Sequence, residues 1–145
     1  MRDSRLGTYG ALILLVSFAA KLSALAALPD AQVVYAMIAA HALARGALPV
    51  MALNLPYARK DGLAAKAGQP DAAVAMVAIV LALVIALLAL SWANMFRAAL
   101  VTALSALFMA WLARRQIGGQ TGDVLGAAEQ VAETAVLLLL AAKFG

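Results

Sequence analysis

Residues 72–90 read AAVAMVAIVLALVIALLAL, an unbroken stretch of Ala, Val, Met, Ile and Leu with no charged or hydrogen-bonding side chain. About 20 such residues, rising about 1.5 Å each, cross the roughly 30 Å hydrocarbon core of a bilayer as one helix. The rest of the chain gives no reason to bury this helix inside a soluble domain instead. Of 145 residues, 66% are hydrophobic and 12% charged, and the mean hydropathy is +0.97. Soluble domains hold about 25% charged and about 45–50% apolar residues. Long apolar runs exclude intrinsic disorder as well. The class is a polytopic membrane protein.

Working outward, Trp92 and Trp111 stand at the ends of the third and fourth apolar segments, where amphipathic rings prefer the headgroup level. The fourth span is expected over 96–112 and a fifth over 124–144, the latter carrying Glu129 and Glu133. Between them, Gly118-Gly119-Gln120-Thr121-Gly122-Asp123 reads as a flexible turn whose Asp123 can cap the fifth helix. Upstream, residues 54–70 form the one long polar loop, marked by Pro56, Gly62, Gly68 and Pro70. A second span is expected over 31–55 with His41 and Arg45, and a first over 9–28 with Lys21. Pro29 cannot continue the first helix, and Asp30 favours the start of the second. The expected fold is an all-α transmembrane bundle of about five spans, a single integral-membrane domain over 1–145.

Lysine and arginine counts orient it. With a cytoplasmic N-terminus, the inner segments hold Arg2, Arg5, Arg59, Lys60, Lys66, Arg114 and Arg115, and the outer ones only Arg97 and Lys143. The net charge of +4 therefore marks topology, and nucleic acid is not an expected partner; the lipid bilayer is. The absence of cysteine excludes disulfides and thiolate chemistry, and a lone histidine excludes a multi-histidine metal centre. Arg2 and Arg5, then residues 11–20, then 23–26 also have the layout of a signal peptide. Lys21 at the end of that apolar core and the polar residues 3–8 argue against it.

Charges at a helix centre cost about 2.5–3.5 kcal/mol each on insertion scales, so each is paired, hydrated or functional. Arg45 and Glu133 each lie about 15 Å deep, Lys21 about 18 Å and Glu129 about 9 Å. Matching depth and opposite sign predict that Glu133 pairs with Arg45 or Lys21, with a purely structural ion pair as the competing reading. His41, four residues before Arg45, shares its helical face and reads as a hydrogen-bonded interior group. Gly118, Gly122 and Gly126 recur every four residues; close helix packing is the expectation for Gly126. Gly118 to Asp123 can instead form a backbone-amide concavity for phosphate at a helix N-terminus.

Met1-Arg2-Asp3-Ser4-Arg5-Leu6-Gly7-Thr8-Tyr9-Gly10 resembles the M-[KR]-D-S-R-[IL]-G-T-[YH]-G segment of the adenosylcobinamide-GDP ribazoletransferases, or cobalamin-5'-phosphate synthases. Lys21, Arg45-Gly46, Tyr57-Ala58-Arg59 and Gly62-Leu63 fall on further landmarks of that family. Residues 118–128, GGQTGDVLGAA, match its G-G-x-T-G-D-x-L-G-A-A block, followed by Gln130 and Glu133. The resemblance covers essentially the whole chain.

The resemblance implies a Mg²⁺-dependent transferase of the bacterial inner (plasma) membrane, acting late in cobalamin biosynthesis. Such enzymes join adenosylcobinamide-GDP to α-ribazole, or its 5'-phosphate, and release GMP. An alcohol then attacks one phosphorus of a pyrophosphate, and catalysis is mainly positioning and charge neutralisation. On this reading Asp3, Arg5 and Asp123 are the catalytic candidates, with Asp3 as the metal ligand. Arg45, Arg59, Gly118, Gly119, Thr121 and Gly122 are the phosphate-binding candidates, and Lys21, Arg45 and Glu133 a buried charge network. Family members carry roughly another hundred residues before the M-[KR]-D-S-R block, compatible with one domain. That region includes an H-L-D-G-L-A-D-x-x-D-G segment, the richest acidic cluster. The chain thus looks like the C-terminal part of the enzyme, inactive alone and completed by that acidic segment or by other copies of the chain. The reading from another class is a small transporter or assembly subunit whose buried Lys21, Arg45 and Glu133 form an ion path.

Overall fold

The computed structural model describes residues 8–58 and 68–142, and every element among them is a helix. α1 is Thr8–Ala27, α2 Asp30–Asn54, α3 Ala72–Ala89, α4 Trp92–Ile117 and α5 Gly122–Ala141. Four of them, α2 to α5, are long and apolar enough to cross a membrane, and the apolar part of α1, Ala11–Ala27, is shorter. Large apolar side chains cover the outside: Leu88 is 82% exposed, and Phe18 and Leu15 are each 67% exposed. Exposed apolar surface on this scale is tolerable only in lipid.

The fourth helix is longer than its expected 96–112, because Ser91 rather than Phe96 ends the preceding break. From Trp92 to Trp111 the helical rise amounts to about 28 Å, close to a hydrocarbon thickness. The two tryptophans therefore bracket the bilayer core, with the Arg115 guanidinium 5.1 Å from the Trp111 ring centroid.

Two-residue connections join α1 to α2 and α3 to α4, which makes consecutive helices antiparallel. The N-termini of α1, α3 and α5 and the C-termini of α2 and α4 then share one end of the bundle. α2 and α5 are central: α2 packs on α3, α5 and α4, and α5 packs on α2, α4 and α1. The bundle interior is rich in small residues, with Ala39 and Ala40 of α2, Ala86 of α3 and Ala98 of α4 fully buried. Without a hydrophobic force between helices in lipid, close approach of backbones supplies the attraction. Gly46 shows how close: an added Cβ would collide with the Ala82 side chain and reach the Ala78 carbonyl oxygen of α3 at 3.1 Å. Gly126 does not behave this way. A Cβ there meets nothing within 4 Å, so the expected packing role falls to the alanines around it.

Candidate functional site

The shared end is organised by the C-terminus of α2. Pro56 follows directly after Leu55, the helix stops, and its last carbonyls need outside donors. Two glutamines and an arginine provide them. Gln120 Nε2 donates to the Ala52 and Leu55 carbonyls at 2.8 and 2.9 Å. Gln69 Nε2 reaches Ala52, Leu53 and Leu55 at 3.1–3.3 Å. Arg114 Nη2 donates to the Asn54 carbonyl at 2.6 Å, a cation placed at a helix C-terminus. None of these roles was foreseen from the sequence, since a glutamine beside a glycine turn carries no spacing signal of its own.

The same place joins two motif segments 63 positions apart. The Gln120 amide donates to the Pro56 carbonyl at 2.8 Å, and the Ala58 amide donates to the Gln120 carbonyl at 3.0 Å, a one-residue parallel bridge between Tyr57 and Gln120. Gly119 must be glycine here, because a Cβ would collide with the Pro56 carbonyl. Gly118, with φ +77°, ends α4 in the left-handed region that favours glycine. The turn is thus committed first to docking and to ending helices. Its helix cap is Thr121, whose Oγ1 accepts from the Val124 amide at 3.3 Å. Asp123, expected as a cap, instead sits in the first turn of α5, where a negative charge suits the helix dipole.

Beneath the bridge lies a cavity of about 510 Å³, lined among others by Arg45, Pro49, Tyr57, Gln120, Leu125 and Glu129. Arg45 Nε donates to Glu129 Oε1 at 2.7 Å, which holds the guanidinium across the cavity and leaves its two terminal amino groups for a ligand. The Arg45 side chain is 71% exposed although it lies about 14 Å below the end of α2. A charge at that depth is paired or faces a cavity rather than lipid, and Arg45 does both. Pro49 lacks the amide that would bond the Arg45 carbonyl, so it frees a further acceptor on the same wall. The Tyr57 hydroxyl is buried there with no hydrogen-bond partner among the described residues. A buried unpartnered hydroxyl costs about 1–3 kcal/mol.

One turn along α5, a second ion pair faces α1. Lys21 Nζ donates to Glu133 Oε1 at 2.8 Å and to Gln130 Oε1 at 2.6 Å. His41 Nε2 stands 3.7 Å from the same carboxylate, while its Nδ1 donates to the Met37 carbonyl at 3.0 Å. Of the two partners expected for Glu133, Lys21 is the one found. Arg45 takes Glu129 instead, so the expected network of Lys21, Arg45 and Glu133 resolves into two separate pairs.

Of the other candidates, Asp3, Arg5 and Arg59 lie outside the described residues. Gly118, Gly119, Thr121 and Gly122 flank the cavity wall, to which the turn contributes Gln120. Among the described residues no group of three His, Asp or Glu side chains could hold a metal ion. Glu129 and Glu133 are each already held by a cation. Those two carboxylates are therefore not free to hold a magnesium ion.

Residues 1–141 match the family model of cobalamin-5-phosphate synthase. The chain belongs to this family. Adenosylcobinamide-GDP ribazoletransferases of Bradyrhizobium diazoefficiens and Mesorhizobium japonicum are each 44% identical to it, over 143 and 140 residues. That of Rhizobium etli is 43% identical over 150 residues. These alignments cover 96–98% of this chain but 54–57% of the relatives, so the chain spans about half the length of the curated relatives it matches. No solved structure matches it. Membership decides between the two classes open from the sequence, a cobalamin-synthesis transferase family rather than a transporter.

Proposed function

We propose that this chain supplies the phosphate-gripping, membrane-embedded part of an adenosylcobinamide-GDP ribazoletransferase. The observation that carries the reading is the exposed Arg45 guanidinium, held by Glu129 at the wall of a cavity that the Tyr57-Ala58 and Gly118–Asp123 segments close together. In the reaction a hydroxyl of α-ribazole, or of its 5'-phosphate, bonds to the cobinamide-side phosphorus of adenosylcobinamide-GDP. The bond from that phosphorus to the bridging oxygen breaks, and GMP leaves. Arg45 is suited to grip non-bridging oxygens through its terminal amino groups, and Tyr57 to donate to a neighbouring phosphate oxygen. Arg5 and Arg59 are the further phosphate partners in this proposal, and Asp123 lies on the first turn of the helix whose Thr121 and Gly122 flank the cavity. Magnesium binding stays with Asp3 and with the acidic segment of longer relatives, and no step here runs through the ion. Seven inner against two outer basic residues favour a cytoplasmic site in the bacterial inner membrane.

The test is GMP release from adenosylcobinamide-GDP in membranes containing the chain, with and without the acidic N-terminal portion of a relative co-expressed. Turnover is expected only with that portion present, and Arg45→Gln is expected to lower kcat/KM at least about tenfold, the worth of a charge-assisted hydrogen bond. Full turnover in the Arg45→Gln variant would remove Arg45 from the site. Robust turnover by the chain alone would refute the division of labour.

A further inference from the structure

A second cavity, about 570 Å³, opens between α2, α3 and α4 and shares no lining residue with the one at Arg45. α4 packs on α5 and α2 but touches α3 little, and the cleft lies where they part. Its walls are mainly apolar, and on the α4 side they are small: Ala99, Ala103 and Ala106 leave space that larger side chains would have filled. Along α4 it runs from Ala99 to Arg114, about 22 Å, against about 15 Å for half a hydrocarbon core. The one hydroxyl on its wall, Thr102, is satisfied by the Ala98 carbonyl at 2.9 Å, so nothing in the floor asks for a polar ligand.

The two ends of the cleft differ in charge. Arg114 lines its mouth beside Asn54, three residues from Trp111, whose ring with Arg115 marks the headgroup level. Arg114 gives one of its five N–H donors to the Asn54 carbonyl, and no carboxylate among the described residues pairs with it. An apolar slot long enough for an acyl chain, beneath a cation at phosphate height, is complementary to one class of molecule. We propose that this cleft is a binding site for an anionic phospholipid, one acyl chain lying between α3 and α4 and the phosphate on Arg114. The lipid completes the packing that the small residues leave open and fixes α4, the helix whose C-terminal Gly118 carries the glycine turn of the Arg45 cavity.

The chain is reconstituted in phosphatidylcholine vesicles containing phosphatidylglycerol with a photoactivatable diazirine on one acyl chain, and adducts are mapped by mass spectrometry. A matched phosphatidylcholine probe serves as reference. Adducts are expected on the cleft face of α4, near Ala103 and Ala106, about fivefold more with phosphatidylglycerol, the effect of one arginine on an anionic headgroup. Arg114→Gln is expected to abolish that preference and Arg114→Lys to keep most of it. Filling the slot with Ala103→Phe or Ala106→Phe is expected to cut the cleft adducts to the level at outward-facing Leu104. Equal labelling by the two probes would overturn the anionic site. So would cleft adducts indifferent to both phenylalanines, or cross-links showing a second copy of the chain or another protein segment in the cleft in place of lipid.

Discussion

Two carboxylates one helical turn apart on α5 meet different fates. Glu133 is buried against Lys21, with side-chain exposures of 6% and 18%. Glu129 faces Arg45, with exposures of 18% and 71%. Both are short ion pairs by distance, and distance alone would give them the same role. Burial separates them. Lys21 donates to Glu133 and Gln130 and clamps α1 to the bundle, whereas among the described residues Arg45 is held at one nitrogen and open at the others. A cation serves an incoming phosphate only where its partner leaves donors over and water can reach it.

The contrast breaks most sharply at the buried pair. Glu133→Ala leaves Lys21 charged and unpaired, a loss of about 3–5 kcal/mol by the cost of breaking buried pairs. The expected readout is a steep fall in the detergent unfolding midpoint. Combining Lys21→Met with Glu133→Leu should recover much of it, and a double-mutant cycle without coupling would deny the clamp. Glu129→Gln is expected to change that midpoint far less while tightening binding of inorganic pyrophosphate, since Arg45 is then unneutralised. Equal destabilisation by Glu129→Gln and Glu133→Gln would erase the distinction.

The remaining expectations sharpen the polar side. Gly119→Ala forces a methyl into the Pro56 carbonyl and should cost about 1–3 kcal/mol, with loss of the Tyr57–Gln120 bridge seen as faster amide exchange at Ala58. Tyr57→Phe removes an unpartnered hydroxyl, so stability is expected to hold or rise while KM for adenosylcobinamide-GDP increases. A fall in stability with unchanged KM would make Tyr57 a packing residue. The smallest effect is expected at Gly126→Ala, a gain of about 0.5–1 kcal/mol from helix propensity in open space.

Much of the fold was legible because a bilayer makes hydrophobic length a near-direct readout of helices, and four of the five came within about three residues of expectation, α4 being the exception. The candidate site was legible only in part. Arg45, Glu133 and Lys21 stood out because charge within an apolar span is costly wherever it points. Gln69 and Gln120 did not, because a neutral amide is unremarkable until it meets the orphan carbonyls of α2. Asp123 drew the capping expectation that belonged to Thr121, for both residue types cap helices and sit two positions apart.

By itself the sequence determined a set of membrane helices, the depth of each buried charge and the family to which its motif blocks point. Those follow from one-dimensional quantities, the rise per residue and the cost of charge in hydrocarbon. Which charge meets which, and which pair stays open to a ligand, depended on how α5 turns its faces towards α1 and α2. Four residues separate Glu129 from Glu133, about 40° beyond a full turn at 3.6 residues per turn, and that small rotation leaves one partly open and sends the other into the bundle.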